Sequence, residues 1–386
     1  MRRWLYPGLA AWSAVWFAAL AGNGGISWKF FTTGTSLLFG GHPAVITGIT
    51  GGPSTAGPAG LHGPPPPGGL HLLANYPALQ IGPVSYLVTG LVRHLSPDNG
   101  LVAAQVLLEA TGLLIVWLIA RIASAVLASP QAGESAAGDW TLLAGGAVFL
   151  VAWTELAVAF AHLDDGLALL LATAAVYASM SGRPVLAGIA MGMAIGAKPW
   201  ALVFLPVTLI PAQHPRPAGQ RLTALGTAVL TTAACYLPFL IADSGTLNAT
   251  RFLIRNEPMS ALRALGVTEN YTPRWDRPAQ ILLGWALGAL ALARRRWPAV
   301  LLLAGGARIV LDPAAHSYYT PDIMTGALLW DMLGYRRPFP VWTAVSFAAL
   351  NLAPHLISSQ AAQGSIRLGL VAAVTAAALF LPARRD

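Results

Sequence analysis

The chain has 386 residues, 55% of them hydrophobic and 10% charged, with a mean hydropathy of +0.61. A soluble domain carries about 25% charged residues, so this composition excludes a soluble globular enzyme, a disordered chain and a coiled coil. The net charge of +8 is scattered between apolar runs, which marks membrane topology rather than a nucleic-acid surface, and a single cysteine, Cys235, excludes a disulfide framework.

A membrane helix needs about 20 mostly apolar residues, and shorter runs serve inside a packed bundle. Twelve stretches meet that description: 4–22, 101–121, 140–161, 165–181, 184–197, 200–213, 222–242, 278–293, 297–310, 321–333, 339–353 and 367–382. The expectation is an all-α, polytopic transmembrane helical bundle of about 12 spans, one integral membrane domain over residues 1–386. Arg2 and Arg3 before the first run mimic a signal peptide, but the many spans behind it favour an anchor. With the N-terminus inside, the inner loops hold Arg121, Arg183, Arg216, Arg221, Arg294, Arg295, Arg296, Arg336, Arg337, Arg384 and Arg385, mostly in short loops where the positive-inside rule applies. The outer face then receives 23–100, the turn 162–165, the segment 243–277 and the loop 311–320. Within the first of these, 80–96 contains Pro83, Arg93 and His94 and is expected as a helix lying on or dipping into the outer surface. No internal repeat is evident, which counts against a transporter built from inverted halves.

The first outer segment carries Pro/Gly runs at 51–58 and 62–67, which favour extended chain over a packed core. His42, His62 and His71 lack metal-site spacing and read as loop histidines. No Asp or Glu occurs in residues 1–97. The pair Asp164-Asp165 follows His162 in a tight outer turn. One acid suffices to cap a helix; two beside a histidine at a membrane surface point as much to a functional site, a base or a cation-binding site, as to capping. Lys198, in Gly196-Ala-Lys-Pro-Trp200, is one of only two lysines; it is either a snorkelling interfacial residue or an anion ligand. The loop 308–322 gathers Arg308, Asp312, His316, Tyr318, Tyr319 and Asp322 at one boundary. Arg308 falls at the end of a short span and needs a partner there, either Asp312 or an anionic ligand. Glu109 and Glu155 lie inside spans at similar depth, as hydrogen-bonded interior acids or as a cation or proton site.

The stretches His162-Leu-Asp-Asp-Gly-Leu-Ala-Leu, Gly182-Arg-Pro-Val-Leu-Ala-Gly188 and Ala194-Ile-Gly-Ala-Lys-Pro-Trp-Ala201 resemble actinobacterial proteins of glycosyltransferase family 87, within the GT-C superfamily. Arg308-Ile-Val-Leu-Asp-Pro, Tyr318-Tyr319 and Leu329-Trp-Asp331 extend the likeness, as do Trp28-Lys-Phe-Phe31, Leu70-His71 and Pro77-Ala-Leu-Gln-Ile-Gly-Pro83. The resemblance implies a GT-C-like fold whose long first outer loop carries short surface helices. It implies a membrane enzyme that transfers a sugar, with inversion, from a polyprenyl-phosphate donor to a glycolipid or glycan acceptor on the outer face. A loop carboxylate would deprotonate the acceptor. The superfamily usually keeps its key acid in the first outer loop, where this chain has Ser27 beside Trp28. By elimination, Asp164 or Asp165 is the expected general base, Asp164 first for its position nearer the turn, with His162 orienting the pair or serving as the base itself, and with Asp312 and Asp322 in reserve. Lys198, Arg308, His316, Tyr318 and Tyr319 are the candidates for holding donor phosphate and sugar. No metal site is expected and no motif demands a cofactor, a divalent cation being left open. The partners expected are the lipid-linked donor, the acceptor and the bilayer, with no nucleic acid. The alternatives are a transporter or flippase of lipid-linked sugar centred on Glu109 and Glu155, and a catalytically silent relative.

Overall fold

The structure, a computed structural model, describes residues 2–40, 67–127, 132–213, 219–334 and 339–381. His42, His62, Arg216, Arg336, Arg337, Arg384 and Arg385, and the Pro/Gly run at 51–58, lie outside these residues. Among the described residues the chain is helical, with no strand and one isolated bridge between Arg255 and Tyr271.

In chain order the helices are α1 (Arg2–Leu20), α2 (Trp28–Leu38), α3 (Leu72–Asn75), α4 (Pro83–Leu95), α5 (Gly100–Val126), α6 (Ala132–Thr154), α7 (Leu163–Met180) and α8 (Pro184–Ala197). A 3-10 helix, Pro199–Leu209, leads to α9 (Gly219–Ala242), α10 (Ala261–Ala264), α11 (Asp276–Ala293), α12 (Val300–Leu311), α13 (Thr320–Leu333), α14 (Val341–Phe347), α15 (Ala353–Leu356) and α16 (Gln360–Phe380). All twelve apolar stretches are therefore helical over most of their length. Among the described residues, five helices are long and apolar enough to cross a membrane: Gly100–Val126, Gly138–Ala159, Leu163–Met180, Gly219–Ala242 and Gln360–Phe380. Trp4–Leu20, Pro184–Ala197, Pro199–Leu209 and Trp297–Leu311 are apolar but shorter. An all-helical membrane protein follows from these segments. Its surface agrees: α9 presents Leu222, Leu230 and Ile241, each at least 70% exposed, an apolar face that suits lipid and not water.

Two π-helical turns interrupt the bundle, Glu155–Ala159 after α6 and Ala348–Leu352 between α14 and α15. Such turns rotate the residues that follow them out of helical register and recur at functional sites. The turn expected at 162–165 is shorter than its sequence suggests, because Leu163, Asp164 and Asp165 already belong to α7. The region 80–96 is a single helix, α4, half enclosed: Tyr86 and Thr89 are fully buried. Its N-terminus docks on the end of α8 through Gly82 N to Ala197 O (3.0 Å) and Ser85 Oγ to the same oxygen (3.0 Å). A Cβ at Gly82 would lie 2.1 Å from Gly196 O, so only glycine permits this approach. Helices α12 and α13 are equally close: a Cβ at Gly326 would lie 2.2 Å from Leu302 N. Small residues bring backbones together in this way where no hydrophobic force operates between helices in lipid. That contact sets Arg308 beside Asp322.

Candidate functional site

The start of α7, the end of α8, the end of α12 and the start of α13 meet on one side of the bundle. Chain direction alone places the opposite ends of these helices, with Arg183 and the run Arg294–Arg296, on the other side. Two residues before α7, Ala161 adopts φ 48°, a left-handed conformation that a residue with a Cβ adopts at a cost. The next residue, His162, bonds its amide to Leu156 O at 3.0 Å, so the strained turn fixes the direction in which its ring leaves the chain. The two following acids occupy the first turn of α7, where the helix dipole favours negative charge. Asp164 also accepts the Asp165 amide at 2.9 Å. Helix-end stabilisation is thus part of its role.

Both carboxylates then reach across the fold. Asp164 Oδ1 lies 2.6 Å from His162 Nδ1, and its Oδ2 accepts from the Lys198 ammonium. Asp165 Oδ1 accepts the Trp200 indole N–H at 2.5 Å and stands 3.5 Å from Arg308. Its Oδ2 is 2.9 Å from His162 Nδ1 but without a hydrogen bond, because one ring nitrogen has one hydrogen to give, here to Asp164. Arg308 bonds to Asp322 and lies 3.7 Å from Asp312. Its guanidinium is held between the rings of Trp200 (3.7 Å to the centroid) and Tyr319 (4.2 Å). The partner that Arg308 needs is therefore Asp322 in the first instance, with Asp165 and Asp312 further off. Asp322, held in reserve above as a catalytic acid, is an ion-pair residue. Three enclosed carboxylates, Asp164, Asp165 and Asp322, face two permanent cations, Lys198 and Arg308.

The network has a sealed rear and an open front. The side chains of His162 and Lys198 keep 11% and 14% of their surface, against 3% for Arg308 and none for the two aspartates. Half-buried His316, Ser317 and Tyr318 continue the front. Tyr318 packs on His162 with ring centroids 4.1 Å apart and stacks on His316 at 5.0 Å, while Phe31 of α2 meets His162 edge-on at 6.2 Å. Burial opposes charge on the His162 ring, but Asp164 and Asp165 outweigh it and raise its pKa above the ordinary histidine value. His316 moves the other way: burial dominates, and its ring favours the neutral form. Burial, reinforced by Asp165, raises the Tyr318 phenol and keeps it a hydrogen-bond donor.

His162, Asp164 and Asp165 place donor atoms within 4.8 Å of one another, close enough to ligate a cation. Lys198, Trp200 and Arg308 already address the same carboxylates, so an ion there would have to displace them. The donor set fits an internal ion-pair network better than a metal centre.

All eight residues singled out from the sequence come together here: His162, Asp164, Asp165, Lys198, Arg308, His316, Tyr318 and Tyr319. Asp322, held in reserve as a catalytic acid, joins them, as do Trp200 and Phe31, which were not singled out for the site. The Trp beside Lys198 is legible as an interfacial anchor, and only the fold turns its N–H onto Asp165. Glu109 and Glu155 do not share a site. Glu109 accepts from Ser13 (2.5 Å) and Thr154 (2.8 Å), whereas Glu155 accepts from Ser317 and from Asn351 (2.8 Å). His71, taken as a loop histidine, is 3.2 Å from Asp243 and ties the segment just before α3 to the end of α9. Hydrogen bonds from His71 and the Gly245 amide hold the Asp243 carboxyl below its usual range. Cys235 is half-buried and free. Ser27 bonds its amide to Phe160 O at 2.9 Å, which docks the start of α2 beside the site without contributing an acid. No family model matches the chain, and no curated protein matches it.

Proposed function

We propose that the protein is a membrane glycosyltransferase of GT-C type that moves a sugar, with inversion, from a polyprenyl-phosphate donor to a glycolipid or glycan acceptor. In this reading all twelve helical stretches cross the membrane, both termini are cytoplasmic, and the network faces the extracytoplasmic side. The placement of the basic loops at the far ends of α7, α8 and α12 supports that orientation.

His162 is the proton acceptor, held by Asp164 and Asp165. The two acids are enclosed and engaged, while His162 retains accessible surface and no described residue bonds its Nε2. A carboxylate on Nδ1 orients the ring and stabilises the imidazolium that forms. The acceptor oxygen bonds to the anomeric carbon as the bond from that carbon to the phosphate oxygen breaks. The acceptor proton passes to His162, and the electron pair leaves with polyprenyl phosphate. Lys198, at the front, stabilises the phosphate charge as it grows. Arg308 stays at the rear and sets the positions of Asp165, Trp200 and Tyr319. Tyr318 and His316 offer ring faces and polar edges to the sugar.

The observation that carries this reading is the single network in which an acid-supported histidine and a lysine share an accessible front over a sealed ionic rear. The transporter alternative is weaker because Glu109 and Glu155 have no partner in common. The test is to incubate the purified protein with a panel of polyprenyl-phosphate sugars and glycan acceptors and to measure released polyprenyl phosphate. Release from one donor class, lost in His162→Ala and in Asp165→Asn variants that remain folded, is the expected result. No release from any donor, or full activity in both variants, overturns the proposal.

A further inference from the structure

The two π-helical turns point at each other. Glu155 opens the first, and Asn351 lies in the second, almost two hundred residues later. Asn351 donates its amide N–H to Glu155 Oε2 at 2.8 Å, and the Ser317 hydroxyl donates to Glu155 Oε1. Asn351 is only 8% exposed, yet its side-chain oxygen has no hydrogen-bond partner. Reversing the amide would set that oxygen against a carboxylate, so the observed orientation is the favourable one. A buried acceptor without a donor is costly, and a ligand that supplies one hydrogen there relieves that cost. Glu155 and Ser317 are half-buried, so the cluster has an open side, and Ser317 is covalently next to Tyr318 at the front of the ionic network.

The donor and acceptor pattern identifies the ligand. A cation wants oxygens only, whereas the Asn351 amide presents N–H groups beside its free oxygen and uses one of them on Glu155. A phosphate is repelled, since no described Lys or Arg is paired with Glu155. Hydroxyl groups fit: each can give one hydrogen to Asn351 Oδ1 or to a remaining lone pair of Glu155, and can accept one from the second N–H of the Asn351 amide. We infer that Glu155, Asn351 and Ser317 form a subsite for the hydroxyls of a neutral sugar, the acceptor rather than the phosphate-bearing donor. The assignment to the acceptor rests on the transferase reading; the hydroxyl subsite itself does not.

The test uses octyl glycosides of common hexoses and pentoses as probes, with binding to the full-length protein measured by equilibrium dialysis, which needs no turnover. At least one probe is expected to bind, and Asn351→Leu, Glu155→Gln and Ser317→Ala are each expected to weaken it about tenfold. Ser317→Ala lies at a partly exposed position and stays informative if the buried variants misfold. Where turnover is found, the same variants should raise the acceptor KM and leave the donor KM unchanged. Binding without any sugar transfer would sink the transferase reading and leave the subsite standing. No binding by any probe, or binding indifferent to Ser317→Ala and to whichever buried variants fold, overturns the subsite.

Discussion

Glu109 and the Asp164–Asp165 pair are both buried acids in apolar helices, and the fold satisfies them by opposite means. Glu109 is surrounded by neutral donors, the hydroxyls of Ser13 and Thr154, and its second oxygen is left without a partner. The aspartates are surrounded by charge: Lys198, Arg308 and a histidine that they help to protonate. Hydroxyls serve a neutral or singly bonded carboxyl, but they cannot neutralise two adjacent ionised ones. The difference separates an acid that fills an interior position from acids whose charge the protein maintains. Charge is worth maintaining at such expense where something is to be bound or protonated.

The largest test of this contrast removes a cation. Arg308→Met leaves Asp165 and Asp322 without their shared partner and should cost about 3–5 kcal/mol of stability, read from unfolding in detergent micelles. Glu109→Gln, which still accepts from Ser13 and Thr154, should cost less than about 1 kcal/mol. Similar losses in the two variants would abolish the distinction.

Lys198→Ala addresses function at the same network. Loss of a fixed cation facing a departing phosphate commonly lowers turnover by about 10²–10³, and this variant should do so in the polyprenyl-phosphate assay. A variant with unchanged turnover and donor affinity would make Lys198 an interfacial anchor.

The smallest effect is a shift along the pH axis. The pKa of His162 in the folded protein lies above its ordinary value of 6.5, so its charge pairing stabilises the fold fully below that pH. The stabilisation is lost as pH rises through the higher folded value. The proposed reaction needs the neutral ring, so activity should rise over the same interval. Asp164→Asn removes one of the carboxylates that hold the proton and should move both midpoints down. A midpoint that stays in place would show that Asp164 does not tune the ring.

Much of the candidate site was legible because charge is scarce in this chain. Where only 10% of residues are charged, each one beside an apolar run is costly unless paired or used, and that alone picks out His162, Asp164, Asp165, Lys198 and Arg308. The helices were legible for a similar reason: backbone groups in lipid must be satisfied within the segment, so long apolar runs become helices. Depth along a helix can be counted from sequence, but rotation about its axis cannot. Counted by rise, Glu109 and Glu155 sit level. The π-turn at 155–159 and the packing of α6 send Thr154 towards Glu109 and Glu155 towards Ser317 and Asn351. Likewise nothing local tells whether Arg308 meets Asp312, Asp322 or a ligand. The sequence by itself determined the membrane class, the helical segments and the roster of polar residues, because those follow from composition and from local hydrogen bonding. Only the tertiary structure decided which of them face one another, because that depends on how closely Gly326 lets α13 approach α12, and Gly82 lets α4 approach α8.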